Sequence, residues 1–304
     1  MTHYRITHTT RYRYGEPVTL CHNEARLTPC DDGRQKRLRS VFTIEPSPKV
    51  FRERRDYFGN MVSYFDIEVP HDALTVSVLS EVVTHRAPGQ LSLGMDLPWE
   101  TVRDRLRAGA EEELRSVVHF ALASPLVRDV GPAVKAYADE SFAPGRGILD
   151  STLDLTRRIH RDFAYDPTAT TASTPLTQVW EQRRGVCQDF AHLAIAMLRS
   201  IGLGAGYVSG YLETLPPPGQ PKLVGADASH AWFSLHVPEI GWVEFDPTND
   251  QMPTEQYVVI ARGRDYSDVP PLKGVIYGGG QHSIQVSVDV HPLEDGERGS
   301  AALD

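Results

Sequence analysis

The feature that most constrains the fold is a change of period near Pro88-Gly89. Before it, Tyr4, Ile6 and His8 open an alternating segment, and Val41, Thr43 and Glu45 fall in another. Residues 61–69 and 74–83 are dense in β-branched and aromatic side chains. A repeat of two suits a half-buried strand, whose successive side chains point to opposite faces. Asp56-Tyr57-Phe58-Gly59-Asn60 lies between two such segments with the Gly-Asn chemistry of a tight turn. Short strands at this spacing predict an antiparallel β-sandwich or open barrel over residues 1–88, with the β-sandwich preferred.

After Pro98 the period lengthens. Val102, Leu106, Leu114, Val117, Val118 and Phe120 recur at helical intervals, and Pro125, Pro132 and Pro144-Gly145 divide the pattern into separate helices up to Phe163. A further helix is predicted over 187–200, with Gly202 and Gly204 as stop signals. Strand patterns follow at 207–213, 231–237, 242–245, 257–261 and 283–290. Helices followed by strands make residues 89–290 an α+β core. The polar, acidic residues 291–304 read as a frayed tail. Arg52, Arg54 and Arg55, interrupted by Glu53 and Asp56, read as a solvated loop.

Charge narrows the function classes. A formal charge of −9 and a pI near 5.7 argue against a nucleic-acid platform and against a polybasic membrane patch. No apolar run approaches the roughly 20 residues of a membrane span, and the first residues lack the apolar stretch of a secretory signal. Three cysteines suit a reducing compartment better than a disulfide framework, so a cytoplasmic protein is expected. HExxH, paired CxxC and phosphate-loop motifs are missing, and Gly278-Gly279-Gly280 lacks the lysine and context of the last, so neither metal nor cofactor is expected.

The chemistry concentrates in three blocks. In Gly185-Val186-Cys187-Gln188-Asp189-Phe190-Ala191, Cys187 falls at the first turn of the predicted helix. Unpaired N–H groups and the positive dipole end favour a thiolate there, and the same groups suit the oxyanion of a tetrahedral intermediate. In Ser229-His230-Ala231-Trp232, alternation aims His230 and Trp232 to one face of a strand. A second strand, starting Gly241-Trp242, ends at Phe245-Asp246-Pro247-Thr248-Asn249. Adjacent antiparallel strands would set Asp246 beside His230, giving a nucleophile, a base and a group that orients the base. Asp189 reads as an anchor of the helix start, and His192, off the face of Cys187, as a packed or hydrogen-bonded core histidine. Trp242 reads as core or pocket wall. Arg264, Asp265 and Tyr266 read either as a polar lock against the site or as a turn. Cys21 and Cys30 read as free thiols of the β module.

Together and in order, these blocks resemble the transglutaminase-like (papain-like) superfamily, and specifically its bacterial cysteine hydrolases. Pro17-Val18, Glu24, Arg26-Leu27 and Asp56 with Phe58-Gly59-Asn60 are similar to the bacterial transglutaminase-like N-terminal β domain. Gly263-Arg264-Asp265-Tyr266 and Asp268-Val269-Pro270-Pro271 are similar to the family's closing segment, so the likeness runs over about residues 1 to 290. It implies a Cys-His-Asp triad at Cys187, His230 and Asp246, with the nucleophile at a helix start. In the eukaryotic crosslinking enzymes an upstream indole helps hold the oxyanion. Here the nearest upstream tryptophan is Trp180, outside any equivalent motif, with Tyr165 further back. Tyr165 is the candidate side-chain donor, with packing as its alternative. Gln188 and Trp232 are the further substrate or oxyanion candidates.

The expected function is hydrolysis of an amide or isopeptide bond in a peptide-like substrate, through a thioester on Cys187. Transfer of the acyl group to an amine is the alternative, and a non-catalytic peptide-binding relative the third. Arg183 and Arg184 hint at an acidic substrate or are a solvated face. For the β module, gating the cleft, recruiting a partner and forming a homo-oligomer all stay open.

Overall fold

The computed structural model describes residues 1–85, 96–128, 131–214 and 229–293. The boundary expected at Pro88-Gly89 and the tail beyond residue 293 lie outside the described residues. The first module is built from β1 (Thr2–Ala25), β2 (Gln35–Glu45), β3 (Val50–Arg55), β4 (Met61–Ile67) and β5 (His71–Thr84). Helices α1 (Trp99–Ala108), α2 (Glu112–Arg115), α3 (Pro132–Ser141) and α4 (Ile148–Asp162) follow. Next come the short strand β6 (Ala164–Tyr165), α5 (Leu176–Gln182), the short strand β7 (Arg184–Gly185) and α6 (Cys187–Ser200). The chain finishes with β8 (Ala205–Leu212), β9 (Ser229–Val237), β10 (Gly241–Phe245), β11 (Tyr257–Gly263), β12 (Leu272–Gly278) and β13 (His282–Pro292). The architecture is α+β with a β-rich N-terminal region.

β1 organises the first module. Its residues 2–13 pair with β5, and its residues 21–25 pair with β4. The ladder to β5 breaks between Arg13 and Val18, where Pro17 has no N–H to give and Gly15 lies against the carbonyl of Gln281. The two halves share one core, in which Val18, Cys21 and Ala25 meet Phe65, Ile67, Leu74, Val76 and Val78. The structure adds to this sheet two strands that the alternation did not show. β3 occupies the stretch expected to be a solvated loop. Among the described residues it pairs only with β4, and its arginines stand on the sheet edge left there, where charge discourages pairing with another chain. β12 is the other, and with β13 it returns to pair with β1, so the end of the 89–290 segment completes the first sheet.

The second sheet has the order β10-β9-β8-β11, all antiparallel. α6 lies on one face of it. Every residue from Asp189 to Leu198 is buried, as suits a helix enclosed on all sides. It ends in a Schellman turn: Leu203 N–H returns to Leu198 and Gly202 N–H to Arg199, with Gly202 at φ 86°. The other face of the sheet meets the β module. Tyr4, Ile6, Val82, Val288 and Val290 pack there on Tyr211, Val258 and Ile260. Among the described residues β11 pairs only with β8, and side-chain amides from the module take up its other edge. Gln35 accepts from Val259 N–H at 2.7 Å and donates to the Val259 carbonyl at 2.8 Å. Asn60 does the same to Arg262, both at 2.8 Å. Each amide thus stands in for one residue of a missing strand.

Candidate active site

The approach to Cys187 is built for its helix. α5 closes on Arg183 in the left-handed region at φ 53°, and β7 then runs parallel to β6, with Tyr165 opposite Gly185. Val186 is extended, and Cys187 is the first residue of α6. Asp189 folds back to accept from Val186 N–H at 2.8 Å and from the Thr170 hydroxyl at 2.6 Å. A Cβ on residue 185 would lie 2.6 Å from the Asp189 carboxylate, so the glycine is what lets this anchor form. Burial raises the Asp189 carboxyl, partly offset by those two bonds. Its role is the structural one expected. The first-turn N–H groups of α6 have no partner within the helix, and Cys187 stands among them, half-buried.

His230 and Asp246 meet as the sequence blocks suggest. β9 and β10 pair through Phe233 and Phe245, which carries His230 and Asp246 to the same end of the sheet. His230 Nε2 lies 2.7 Å from Asp246 Oδ2. Its other ring nitrogen is thus left free of Asp246, and Cys187 is near enough for its charge to act on the ring. Burial disfavours the charged imidazole, but the bond to Asp246, and the charges of Asp246 and Cys187, outweigh it and raise the His230 pKa to about 10. Asp246 is fully buried. Burial alone would raise its carboxyl, yet bonds from His230, Tyr257 and Asn249 hold it below the usual range.

Two of those partners were not assigned from the sequence. Asn249 donates to Asp246 Oδ2 at 2.7 Å, and lies inside the recognised block. Tyr257 also donates to Oδ2 at 2.7 Å, but it enters from β11, and no local pattern marks it. The turn after β10 closes on itself, with Asp246 and Gln251 exchanging backbone bonds. Thr248 N–H gives a further bond to Asp246 Oδ1 at 2.8 Å.

The remaining candidates separate. Tyr165 is 58% exposed, and its phenol is raised by partial burial and by the charge of Cys187, so it stands near the nucleophile. Gln188 turns away, donating to the Ala172 carbonyl at 3.2 Å. Trp232 is fully buried and donates to Glu244 at 2.8 Å; it packs behind His230, ring centroids 5.9 Å apart, and has no surface to offer a substrate. Arg183 lies 3.6 Å over Trp180, and Arg184, more than half exposed, pairs with Asp166 at 3.5 Å. His192 accepts from Tyr266 N–H at 3.1 Å, and burial lowers its pKa to about 4. Asp265 caps the short turn Tyr266–Asp268 and takes Leu126 N–H at 2.7 Å, so this trio ties α6 to the loop after β11.

An aromatic-lined cleft of about 430 Å³, between Tyr57, Phe58, His119, Phe120 and Trp242, lies at the junction of module and core and includes none of Cys187, His230 and Asp246. Among the described residues, no grouping of three or more His, Cys, Asp or Glu could hold a metal ion, and no helix is long and apolar enough to cross a membrane.

Comparison with known proteins covers most of this architecture. The bacterial transglutaminase-like N-terminal region matches residues 4–83, and the transglutaminase-like superfamily core matches residues 135–247. An uncharacterized protein of Mycobacterium tuberculosis is 45% identical over 298 residues, covering 96% of this chain and 93% of its own. A protein-glutamine gamma-glutamyltransferase of Pseudomonas aeruginosa is 32% identical over 158 residues, 49% of this chain and 23% of that one. A Cytophaga hutchinsonii crystal structure described as a candidate cysteine protease has the same fold, with a TM-score of 0.73 at 19% identity over 96% of this chain and 91% of that one.

Proposed function

The chain belongs to the transglutaminase-like superfamily, and from that premise we propose that it is a cysteine hydrolase that opens an amide or isopeptide bond through a thioester on Cys187. The observation that carries the reading is His230, bonded to a buried carboxylate and near enough to the thiol at a helix start to feel its charge. With the His230 pKa raised to about 10, the proton rests on the imidazole at neutral pH and the sulfur is the nucleophile. The thiolate attacks the substrate carbonyl. First-turn N–H groups of α6 and the Tyr165 hydroxyl receive the oxyanion. His230 then protonates the departing amine. A water that gives its proton to His230 next attacks the thioester, and the acid leaves as the thiolate and imidazolium are restored. Asp246 keeps the ring oriented throughout.

Hydrolysis is favoured because water reaches a half-buried Cys187 without a site built for it. The relative named protein-glutamine gamma-glutamyltransferase favours the second reading, in which an amine takes the acyl group. Intact-mass spectrometry after mixing with an activated acyl ester distinguishes the two. The expected result is an acyl adduct on Cys187 that disappears as free acid at a rate a primary amine does not change, with no adduct in Cys187→Ala. Acyl-amine as the main product would replace the hydrolase reading with the transferase one. Three free thiols support a reducing, cytoplasmic setting, which fractionation of cells producing the protein would check.

A further inference from the structure

Behind His230 lies a buried polar chain that leads out of the catalytic core and into the β module. The Trp232 indole N–H donates to Glu244 Oε2, and the Glu244 carboxylate is only 4% exposed. Two arginines hold it: Arg34, from the module, on the same oxygen, and Arg262, from β11, at 3.1 Å on the other. Arg262 in turn pairs with Asp32 of the module at 2.5 Å. The charges of Arg34 and Arg262 keep the Glu244 carboxyl low although burial pushes it up. Trp232 cannot slide away from this grip. Gly210 faces His230 across the ladder, and a Cβ there would come within 2.5 Å of the indole. On the far side of the indole, Tyr257 meets it edge-on at 5.2 Å while donating to Asp246.

We infer that the β module is a working part of the active site: Arg34 fixes Glu244, Glu244 holds the Trp232 indole, and the indole sets the His230 ring against Cys187 and Asp246. Arg34, Glu244 and Trp232 are then positioning residues, and the module is needed for reactivity as well as for stability. An unpaired buried Glu244 would draw in water or a proton and release the indole. The His230 ring would lose one wall, and the thiolate–imidazolium pair would weaken.

The inference rests on the reading of Cys187 and His230 as nucleophile and base, and the pH profile of Cys187 alkylation by iodoacetamide tests the two separately. In the wild-type chain Cys187 should alkylate at neutral pH far faster than Cys21 and Cys30, whose thiols burial raises, and His230→Ala should remove that advantage. If it does not, the reading of the site fails. Given that advantage, Arg34→Met should move the midpoint of the Cys187 pH profile up by about half a pH unit, a roughly threefold slower reaction on the acid limb. Trp232→Phe, which keeps a ring but drops the N–H, should move it the same way. Arg5→Met removes a part-buried ion pair of the module that touches neither Glu244 nor Trp232, and should lower the melting temperature with no shift. Glu244→Gln should shift furthest; should it not fold, Arg34→Met still decides, since Arg262 continues to pair with Glu244. Midpoints in Arg34→Met and Trp232→Phe equal to wild type would overturn the inference.

Discussion

The two faces of the β8–β11 sheet are held by different physics. On the α6 face, Phe233, Leu235, Val237, Val243 and Phe245 meet Leu193, Ala194 and Leu198 in one apolar core. On the module side, the apolar packing of Tyr4, Ile6 and Val82 on Tyr211 and Val258 is joined by directional contacts: Gln35 and Asn60 bracket backbone groups at the β11 edge, and Glu244 sits between two arginines. Apolar packing tolerates exchange of one shape for another, whereas a buried amide or carboxylate needs its particular partner. The α6 face therefore secures the fold. The module face fixes where a few atoms lie, and His230 and Asp246 are at its border.

The comparison can be broken at several points. The largest effect belongs to the α6 face. Phe233, fully buried and stacked on Phe245 at 5.5 Å, should cost about 3–5 kcal/mol when cut to alanine, read as a lower denaturant midpoint. A loss under about 1 kcal/mol would mean that this core is not the principal support. Next comes the amide seal. Gln35→Leu keeps the volume but leaves Val259 N–H and the Cys30 carbonyl without their partner, and should cost about 2 kcal/mol by the same assay. A neutral result would mean that water replaces the amide and the seal is not directional.

A smaller, graded effect comes from His8, at the junction. Its ring lies between the Tyr211 hydroxyl at 2.8 Å and the Thr10 hydroxyl at 3.0 Å, and burial lowers its pKa to about 4. The unfolded chain takes up this proton first as pH falls from about 6.5, so stability is lost from there down to the folded value, at up to about 1.4 kcal/mol per pH unit. His8→Gln should flatten that part of the curve, measured by denaturation between pH 7 and pH 4. An unchanged slope would place the acid sensitivity elsewhere.

What the sequence made legible follows the same division. Cys187, His230 and Asp246 each sit in a short block with a clear local reading, a helix start or a strand, so the contact of His230 with Asp246 could be expected before any coordinates. Asp189 and Gly185 were readable as an anchor and a close approach for the same reason. Tyr257, Glu244, Arg34 and Gln35 were not, because their partners are far along the chain; Gln35 and Val259 are separated by 224 positions. Trp232 misled through alternation alone, which gives the face of a side chain and not what covers it. β3 was hidden because charges at an open edge erase the period of two, and β12 because Lys273 and Gly274 interrupt it among exposed neighbours.

The site's electrostatics can be measured at one ring. Nitrogen and proton chemical shifts of His230, followed by NMR across pH 5 to pH 11, report its charge directly. The arrangement predicts an imidazolium that persists through neutral pH and titrates near pH 10, moving sharply down in Asp246→Asn. The stability that this pair supplies should be complete below about pH 6.5 and lost as pH rises through the folded value. A His230 that titrates near 6.5 in the wild-type chain, and stays there in Asp246→Asn, would contradict the account.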